Sequence, residues 1–430
     1  MKHRIRQMML LVTCIILCAC KGDTNETTAL QETESNKETT EVSQTAVTDR
    51  GFDCDYYMRT GFLTENMALY HDNNERLQIY DVKSGQDLPF CFDPGCEHER
   101  GQKSRTREVI KKGCIAYEFY MDTVMLQGDT CYFMDRFSGE VYSSDQRGEN
   151  RRLLGRIPTY VQANNVFFSK DALFATYSTQ YEMIELKGEN GEPQWVIGEK
   201  QAVDTCGLVR FDLKDGTFTE IFREQGYNAM VSQREIRGEH LYFQYSYTDL
   251  PYMAPDGNMF GFERPEEFKD LSVEEYIAER YSRYKMRIYD YDIATGELVT
   301  ILDNEPIINV CFCKDFFATA VSGSGKTKLY RYNGECFREL DYTLFRGVWS
   351  DDHLIGVFEE WPNDCLMIDE TTGDELKRVT IPRNTIFPYS IIGESCYGSV
   401  HKDGTSGSGY ISADDFWNGD FSKAIAFKVR

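Results

Sequence analysis

The chain has 430 residues, of which 47 are basic and 70 acidic, so its formal net charge is −23. Residues 1–19 carry three basic residues and no acidic one, so the rest of the chain has a net charge of −26 with histidine neutral. A surface of this charge repels phosphate backbones and anionic lipid headgroups, which excludes nucleic acid as an expected partner.

The amino terminus has the pattern of a secretory signal. Basic residues precede an apolar stretch at 8–17, which ends in Leu17-Cys18-Ala19-Cys20. Leucine three residues before the cysteine resembles the bacterial lipoprotein signal. That resemblance implies cleavage of a signal peptide (residues 1–19) and acyl chains such as palmitate on Cys20, with the protein anchored in the cell membrane and facing the extracytoplasmic side. The apolar stretch is shorter than the ~20 residues a membrane-spanning helix needs, but an uncleaved anchor and a non-lipidated signal stay as alternatives.

Residues 21–50 contain no aromatic residue and are dominated by Thr, Glu, Ser and Asn. Such a segment buries too little apolar surface to offset the entropy of ordering, so we predict a disordered tether over 20–50, counting the lipidated Cys20. A flexible chain of this length spans roughly 30 Å. Residues 51–430 show no break in composition and are predicted to form one domain.

A strand–turn–strand pattern recurs along this domain: alternating apolar residues, then Asp, then a Gly turn, then a second strand. The copies are 77–85, 208–222, 287–302 and, more weakly, 328–334 and 366–373. Another strand pair precedes two of them, at 165–177 and 239–247. Period-two alternation around Gly turns indicates β-hairpins, and repeating four-stranded units indicate an all-β propeller. We expect seven blades, starting near residues 52, 117, 160, 228, 307, 344 and 386. Six blades and a β-sandwich are the alternatives.

One segment concentrates metal-ligand side chains. Cys91, Cys96, His98 and Cys114 follow the spacing C-x4-C-x-H-x15-C, and Pro94-Gly95 supplies a turn between the first two. Three thiols and an imidazole suit one structural metal ion such as zinc. A disulfide, Cys91–Cys96 or Cys96–Cys114 with His98 exposed, is the alternative. Eleven cysteines follow Cys20, and this odd number prevents complete pairing within one chain.

The whole chain resembles lipoproteins of Gram-positive gut-type bacteria with TolB-like or low-density-lipoprotein-receptor-like (LDL-receptor-like) β-propellers. The signal, the tether, the hairpins and the Cys-Pro-Cys-His type of segment carry the resemblance, and in those proteins a later cysteine also recurs. The chain departs from better-known propellers, because it has neither a Trp-Asp repeat nor a Tyr-Trp-Thr-Asp motif. The resemblance therefore bears on fold and location more than on activity.

Two insertions fall at turns between the second and third strands of a unit. Residues 181–203 form an extra hairpin in the third blade, and residues 249–285 add a loop and a helix in the fourth. We expect both to project, with the Cys/His segment, from one interaction face that includes Trp195, Tyr276, Tyr281 and Tyr284. The alternative is that the tyrosine stripe only packs the helix against its own blade.

No catalytic residue set is recognisable, so an enzyme is the less expected reading. We predict a surface-anchored binding or scaffold module for an extracytoplasmic protein or glycan ligand. One alternative is an extracytoplasmic enzyme acting on glycans, with Glu359, Glu360 and Asp364 beside Trp361, or Trp349, at the channel mouth. The other is a metal- or redox-responsive surface protein that uses the four Cys/His residues.

Overall fold

The computed structural model describes residues 63–427, apart from 65–66, 73–75, 92, 94, 104–108, 112, 118–123, 128, 135–138, 146–147, 158–165, 170, 188–192, 260–262, 314, 322–324, 351–353, 359–362 and 403–404. All of them fall in one compact unit, Gln44–Arg430. The predicted signal peptide, Cys20 and the tether lie outside the described residues. Within the described part of the chain, no helix is both long enough and apolar enough to cross a membrane.

The chain begins with two separate four-stranded antiparallel sheets, each in chain order. The first contains β1 (Leu63–Thr64), β2 (Met67–His71), β3 (Leu77–Asp81) and β4 (Gln86–Pro89). A short pair follows, β5 (Gln102–Lys103) with β6 (Val109–Lys111), and then a 3₁₀ turn at Ile115–Tyr117. The second sheet contains β7 (Val124–Gln127), β8 (Thr130–Met134), β9 (Glu140–Asp145) and β10 (Arg152–Arg156).

The next seven strands form a single sheet that consists of two four-stranded groups sharing one strand. They are β11 (Val166–Ser169), β12 (Ala172–Lys187), β13 (Pro193–Asp212), β14 (Phe218–Arg237), β15 (His240–Thr248), β16 (Lys285–Asp292) and β17 (Leu298–Glu305). The first part of β14, up to Gly226, pairs with β13, and the rest, from Tyr227, pairs with β15. Between β15 and β16 lie a 3₁₀ turn (Glu266–Phe268) and helix α1 (Val273–Ser282).

The last three groups complete the described chain. A separate sheet contains β18 (Ile307–Phe312), β19 (Phe316–Val321), β20 (Lys326–Arg331) and β21 (Cys336–Leu340). The sixth group is β22 (Leu344–Ser350), β23 (Leu354–Phe358), β24 (Asn363–Ile368) and β25 (Glu375–Ile381), and the seventh is β26 (Ile386–Ile392), β27 (Ser395–Lys402), β28 (Thr405–Ser412) and β29 (Ile425–Ala426). Helix α2 (Ala413–Trp417) and a 3₁₀ turn (Phe421–Lys423) precede β29, and parallel pairing of β22 with β26 joins the two groups.

The same aspartate turn closes the third-to-fourth strand hairpin in four groups. At Asp292, the carboxylate Oδ1 accepts hydrogen bonds from the N–H groups of Ala294 (2.8 Å) and Thr295 (2.9 Å). The N–H of Gly296 donates to the Asp292 carbonyl at 2.8 Å, and Gly296 has φ of +78°, which favours glycine. The other copies start at Asp81, Asp212 and Asp369. The hairpins predicted at these positions are therefore confirmed.

Buried clusters connect each group to the next along the chain. One cluster extends across the first four groups. Three more join the fourth to the fifth, the fifth to the sixth and the sixth to the seventh. A last cluster joins the seventh group to the first: the ring of Phe427 lies 4.9 Å from that of Tyr70 and 4.3 Å from that of Tyr80. The described chain is thus mostly β and propeller-like, with the predicted helix between the second and third strands of the fourth group.

Candidate metal centre and insertion surface

The connection from β4 to β7 brings its first two cysteines together through an aspartate turn. Cys91 lies two residues after the end of β4, and the N–H of Cys96 donates to the Asp93 carbonyl at 3.1 Å. The N–H of Gly95 donates to Oδ1 of Asp93 at 2.9 Å. Because this turn reverses the chain within a few residues, Cys96 returns toward Cys91. Pro94, the other predicted turn residue, lies outside the described residues.

The remaining two ligand residues are positioned by backbone contacts across a longer loop. His98 has φ of +51°, a left-handed conformation that directs the chain back over the turn. The N–H of Cys114 donates to the Glu99 carbonyl at 2.8 Å, which places Cys114 beside His98. A Cβ added at Gly113 would lie 2.1 Å from the backbone nitrogen of Gly101, so only glycine allows these two backbone segments to approach so closely.

The four predicted ligand atoms converge. The ligand atoms of Cys91, Cys96, His98 and Cys114 all lie within 4.8 Å of one another, and Sγ of Cys114 lies 3.5 Å from Nδ1 of His98. Tetrahedral zinc, with Zn–S about 2.3 Å and Zn–N about 2.05 Å, requires S···N separations of about 3.5 Å and S···S separations of about 3.8 Å. Sulfur and imidazole donors also suit zinc chemically. The residues therefore fit a metal ion.

The protonation of two thiols is coupled. A hydrogen bond with Cys114 lowers the pKa of Cys91 to about 5, against the opposing effect of burial, and the same contact together with burial raises the pKa of Cys114 well above its usual range. Cys91 is therefore the more easily deprotonated of the two thiols. Metal ligation requires thiolates, so binding would release the proton held by Cys114.

Cysteines elsewhere in the described chain serve packing. Among the described residues, no disulfide joins Cys131, Cys206, Cys365 or Cys396 to another cysteine. Cys131, Cys206, Cys365 and Cys396 have no exposed surface, and burial raises the pKa of each thiol. These groups act as small apolar side chains. Cys336, in contrast, is exposed.

The insertion between β15 and β16 has a small core of its own. The predicted capping box is confirmed, because Oγ of Ser272 accepts from the Glu275 N–H (3.2 Å) and Oε2 of Glu275 accepts from the Ser272 N–H (2.9 Å). Tyr276 is fully buried, and its hydroxyl donates to the Pro251 carbonyl at 3.1 Å. The prediction that Tyr276 lies on the interaction face is therefore wrong. Tyr276 is on the inward side of α1, where it packs against Leu250, Met253 and Phe268 inside the insertion.

The other residues predicted for the interaction face have different surroundings. Tyr281 and Tyr284 are half-buried, and the Tyr284 hydroxyl donates to Oγ of Ser246 at 3.2 Å. Trp195 lies on β13 opposite Glu185 of β12, in the predicted extra hairpin, and its side chain is outside the described residues. The structure therefore brings two tyrosines of the predicted set to the surface of one insertion.

Sequence reasoning gave no role to Arg280, which lies on α1 in the same stripe as the tyrosines. The residue is 4% exposed, and its Nε and Nη2 atoms have no hydrogen-bond partner among the residues that the structure describes. Its guanidinium carbon lies 5.3 Å from the centre of the Tyr252 ring and 5.9 Å from that of Tyr281. The concentration of tyrosines around one helical arginine is the only sequence signal for this site.

The acidic residues proposed for a sugar site are only partly described. Asp364 lies on β24, where its Oδ2 accepts from Arg378 at 2.9 Å and its Oδ1 accepts from the Thr380 hydroxyl at 2.6 Å. Glu359, Glu360 and Trp361 lie outside the described residues, and so does the side chain of Trp349. Asp364 is thus engaged by side chains of the neighbouring strand β25.

No protein-family model matches this chain, and no curated protein matches its sequence. Among solved structures, it is similar to an oligogalacturonate lyase in complex with manganese, with 10% identity, a TM-score of 0.45, and coverage of 84% of this chain and 88% of that one. It is also similar to a Pyrococcus horikoshii acylaminoacyl peptidase (11% identity, TM-score 0.45, 87% and 53% covered). A third similar structure is BamB from Moraxella catarrhalis, with 11% identity, a TM-score of 0.36, and coverage of 82% of this chain and 92% of that one. With TM-scores below 0.5, these similarities carry no argument about activity.

Proposed function

We propose that the protein is a lipid-anchored, extracytoplasmic β-propeller that binds a protein or glycan ligand through its insertions. This proposal rests on the positions at which the insertions leave the sheets. The extended β12–β13 hairpin and the α1 segment both follow a second strand, and the Cys/His connection follows a fourth strand. In antiparallel units, these two positions lie at the same end of the sheet. A propeller therefore presents all three on one face.

We take the seven four-stranded groups to be seven blades. Each group shares a buried cluster with the next, and Phe427 of the seventh contacts Tyr70 and Tyr80 of the first. This cyclic order of contacts supports a closed ring and disfavours a β-sandwich. No strand pairing links the seventh group to the first in the described residues, so a closed ring would rely on side-chain packing, in which aromatic rings dominate.

The insertion-dependent binding can be tested by replacing residues 250–283 with a short Gly-Ser loop. Tyr247 pairs with Lys285, so the two strand ends are adjacent and a short loop can close them. Binding of envelope proteins or cell-wall glycans to the replaced and intact chains is then compared, after equal folding is shown by circular dichroism. Lys214→Ser, in the exposed third-to-fourth strand turn, is the control at the other end of the sheet. Equal binding by the loop variant would exclude the insertion as the recognition surface.

The Cys/His cluster is proposed to hold one structural metal ion such as zinc. The metal would link the turn after β4 to the segment before β7 and so fix the connection between the first two groups. Stoichiometric zinc in the purified protein, lost in Cys114→Ser and retained in the exposed-cysteine control Cys336→Ser, is expected. Thiols that are freed only by reductant, without metal, would establish the disulfide instead.

The same cluster supports a second candidate, a metal- or redox-responsive surface protein. Half-burial of Cys96 and His98 leaves one side of the cluster within reach of solvent. For this function, mild oxidation should release the metal reversibly and change ligand binding. Unchanged ligand binding after metal release would restrict the cluster to a structural role.

The anchor is proposed on the resemblance of the amino terminus to the lipoprotein signal of the Gram-positive propeller proteins. Metabolic labelling with a clickable fatty acid should mark the wild-type chain and leave Cys20→Ala unmarked. Two acyl chains would hold the protein stably at the membrane, so Cys20→Ala should also appear in the soluble extracytoplasmic fraction. A label that persists in Cys20→Ala would refute the assignment.

A further inference from the structure

Arg280 carries a buried charge without a counter-ion in the described part of the chain. Its Nε and Nη2 atoms, which form one edge of the guanidinium, have no hydrogen-bond partner. Desolvation lowers the pKa of the side chain, and nearby tyrosines partly oppose that effect. A guanidinium stays charged in proteins, so its burial is costly unless something compensates for it. Cation–π contacts with Tyr252 and Tyr281 supply part of that compensation.

Two other arginines of the same insertion show what a purely structural arginine does here. Arg264 lies over the Tyr276 ring and donates to the carbonyls of Lys269 (3.3 Å) and Leu271 (2.6 Å). Arg283 lies over the Phe268 ring and donates to Oε1 of Glu279 at 2.8 Å and to Asp249 at 3.3 Å. Both combine an aromatic contact with hydrogen bonds. At Arg280 the aromatic contacts are present, but the Nε/Nη2 edge lacks acceptors.

The unpartnered edge matches one ligand chemistry. Nε and Nη2 of an arginine donate two parallel hydrogen bonds to the two oxygens of a carboxylate. Tyr252 and Tyr281 are half-buried and contact the guanidinium, so a ligand would reach this edge only by displacing one of the two rings. The half-exposed rings also offer flat apolar surface beside the charge, where a sugar ring or a peptide backbone can pack.

We propose that Arg280, with Tyr252 and Tyr281, forms a binding site for the carboxylate of a ligand. This inference rests on the proposed function, because it names the ligand group that the α1 insertion recognises. The net charge of −23 disfavours anions over the surface as a whole, so a carboxylate would bind here through the local charge of Arg280. The carboxylate has two sources: an acidic sugar, or the end of a peptide chain.

The test is isothermal titration of the full-length chain with glucuronate, with N-acetylalanine, and with glucose as the neutral match for glucuronate. We expect saturable binding of at least one carboxylate probe and none of glucose. The probe that binds identifies the source of the carboxylate. Arg280→Lys keeps the charge but loses the two-pronged geometry, so it should weaken that binding by about tenfold or more. Arg283→Lys, at the residue that directly follows α1, should leave it unchanged.

Arg280→Met removes the charge and should abolish binding, and hydrogen exchange of α1 shows whether the insertion stays folded in each variant. If Arg280→Met unfolds α1, the binding measured with Arg280→Lys tests the proposal in its place. The proposal is overturned if neither carboxylate binds, or if binding persists at wild-type strength in a folded Arg280→Lys. In that case, the Gly-Ser replacement of the insertion still tests the proposed function independently, because it is scored by partner binding.

Discussion

Phe427 connects the last sheet to the first, so its removal tests whether the ring is closed. The side chain is 3% exposed and its ring lies 4.3 Å from the Tyr80 ring and 4.9 Å from the Tyr70 ring. Truncating a buried phenylalanine to alanine costs about 3–5 kcal/mol. Phe427→Ala should therefore lower the free energy of unfolding by about 3 kcal/mol, and Tm by about 4 °C for a domain of this size.

A loss of stability alone would not show that the two sheets touch, so a double-mutant cycle isolates the contact. Phe427→Leu and Tyr80→Leu are made singly and together, and unfolding is followed in urea. An aromatic pair at this distance should give a coupling energy of about 1 kcal/mol. Phe427→Leu with Tyr242→Leu, in the fourth group, is the control and should be additive to within about 0.5 kcal/mol. Additivity for Phe427 and Tyr80 would refute ring closure through this cluster.

Three further predictions concern local structure. Gly113→Ala places a methyl carbon 2.1 Å from the backbone nitrogen of Gly101, so this variant should have a lower Tm and a lower zinc content than the wild type. The control is Gly95→Ala, whose added methyl carbon has its nearest neighbour at 3.5 Å, and it should keep the wild-type Tm and zinc content. Ser272→Ala removes the side chain that caps α1. Since such a cap contributes about 1 kcal/mol, hydrogen-exchange protection of the helix should fall by about fivefold. Unchanged protection would contradict this prediction. Backbone hydrogen bonds lower the pKa of Asp292, so its stabilising effect is present above the unfolded-state pKa near 3.9 and is lost as pH falls through the lower folded-state value. The difference in urea-unfolding stability between wild type and Asp292→Asn should therefore be present at pH 6 and should shrink as the pH falls below the unfolded-state value of about 3.9. A difference that does not depend on pH would contradict the assignment.

Much of the local structure could be predicted because its causes are local in sequence. The turns at Asp81, Asp212, Asp292 and Asp369 need an Asp carboxylate, two following N–H groups and a glycine with positive φ, all within five residues. The capping box of α1 is equally local. Period-two alternation of apolar residues marked the strands around these turns, although β3 is buried on both faces.

The candidate metal centre could be predicted in part. The spacing of Cys91, Cys96 and His98 around a turn indicated that they meet. Cys114 joins them because its N–H bonds to the Glu99 carbonyl and because Gly113 lets two backbone segments come close. Neither contact produces a periodic pattern in the sequence, so the sequence identified Cys114 only as a candidate metal ligand.

The sequence by itself determined the strands, their turns, the helix cap and the positions of the insertions, since hydrogen bonds between near neighbours decide all of these. Only the tertiary structure decided two other features. It buried Tyr276 and Arg280 within the insertion, and it brought Phe427 to Tyr80 across nearly the whole chain. These depend on packing between side chains far apart in sequence, which composition and periodicity do not record.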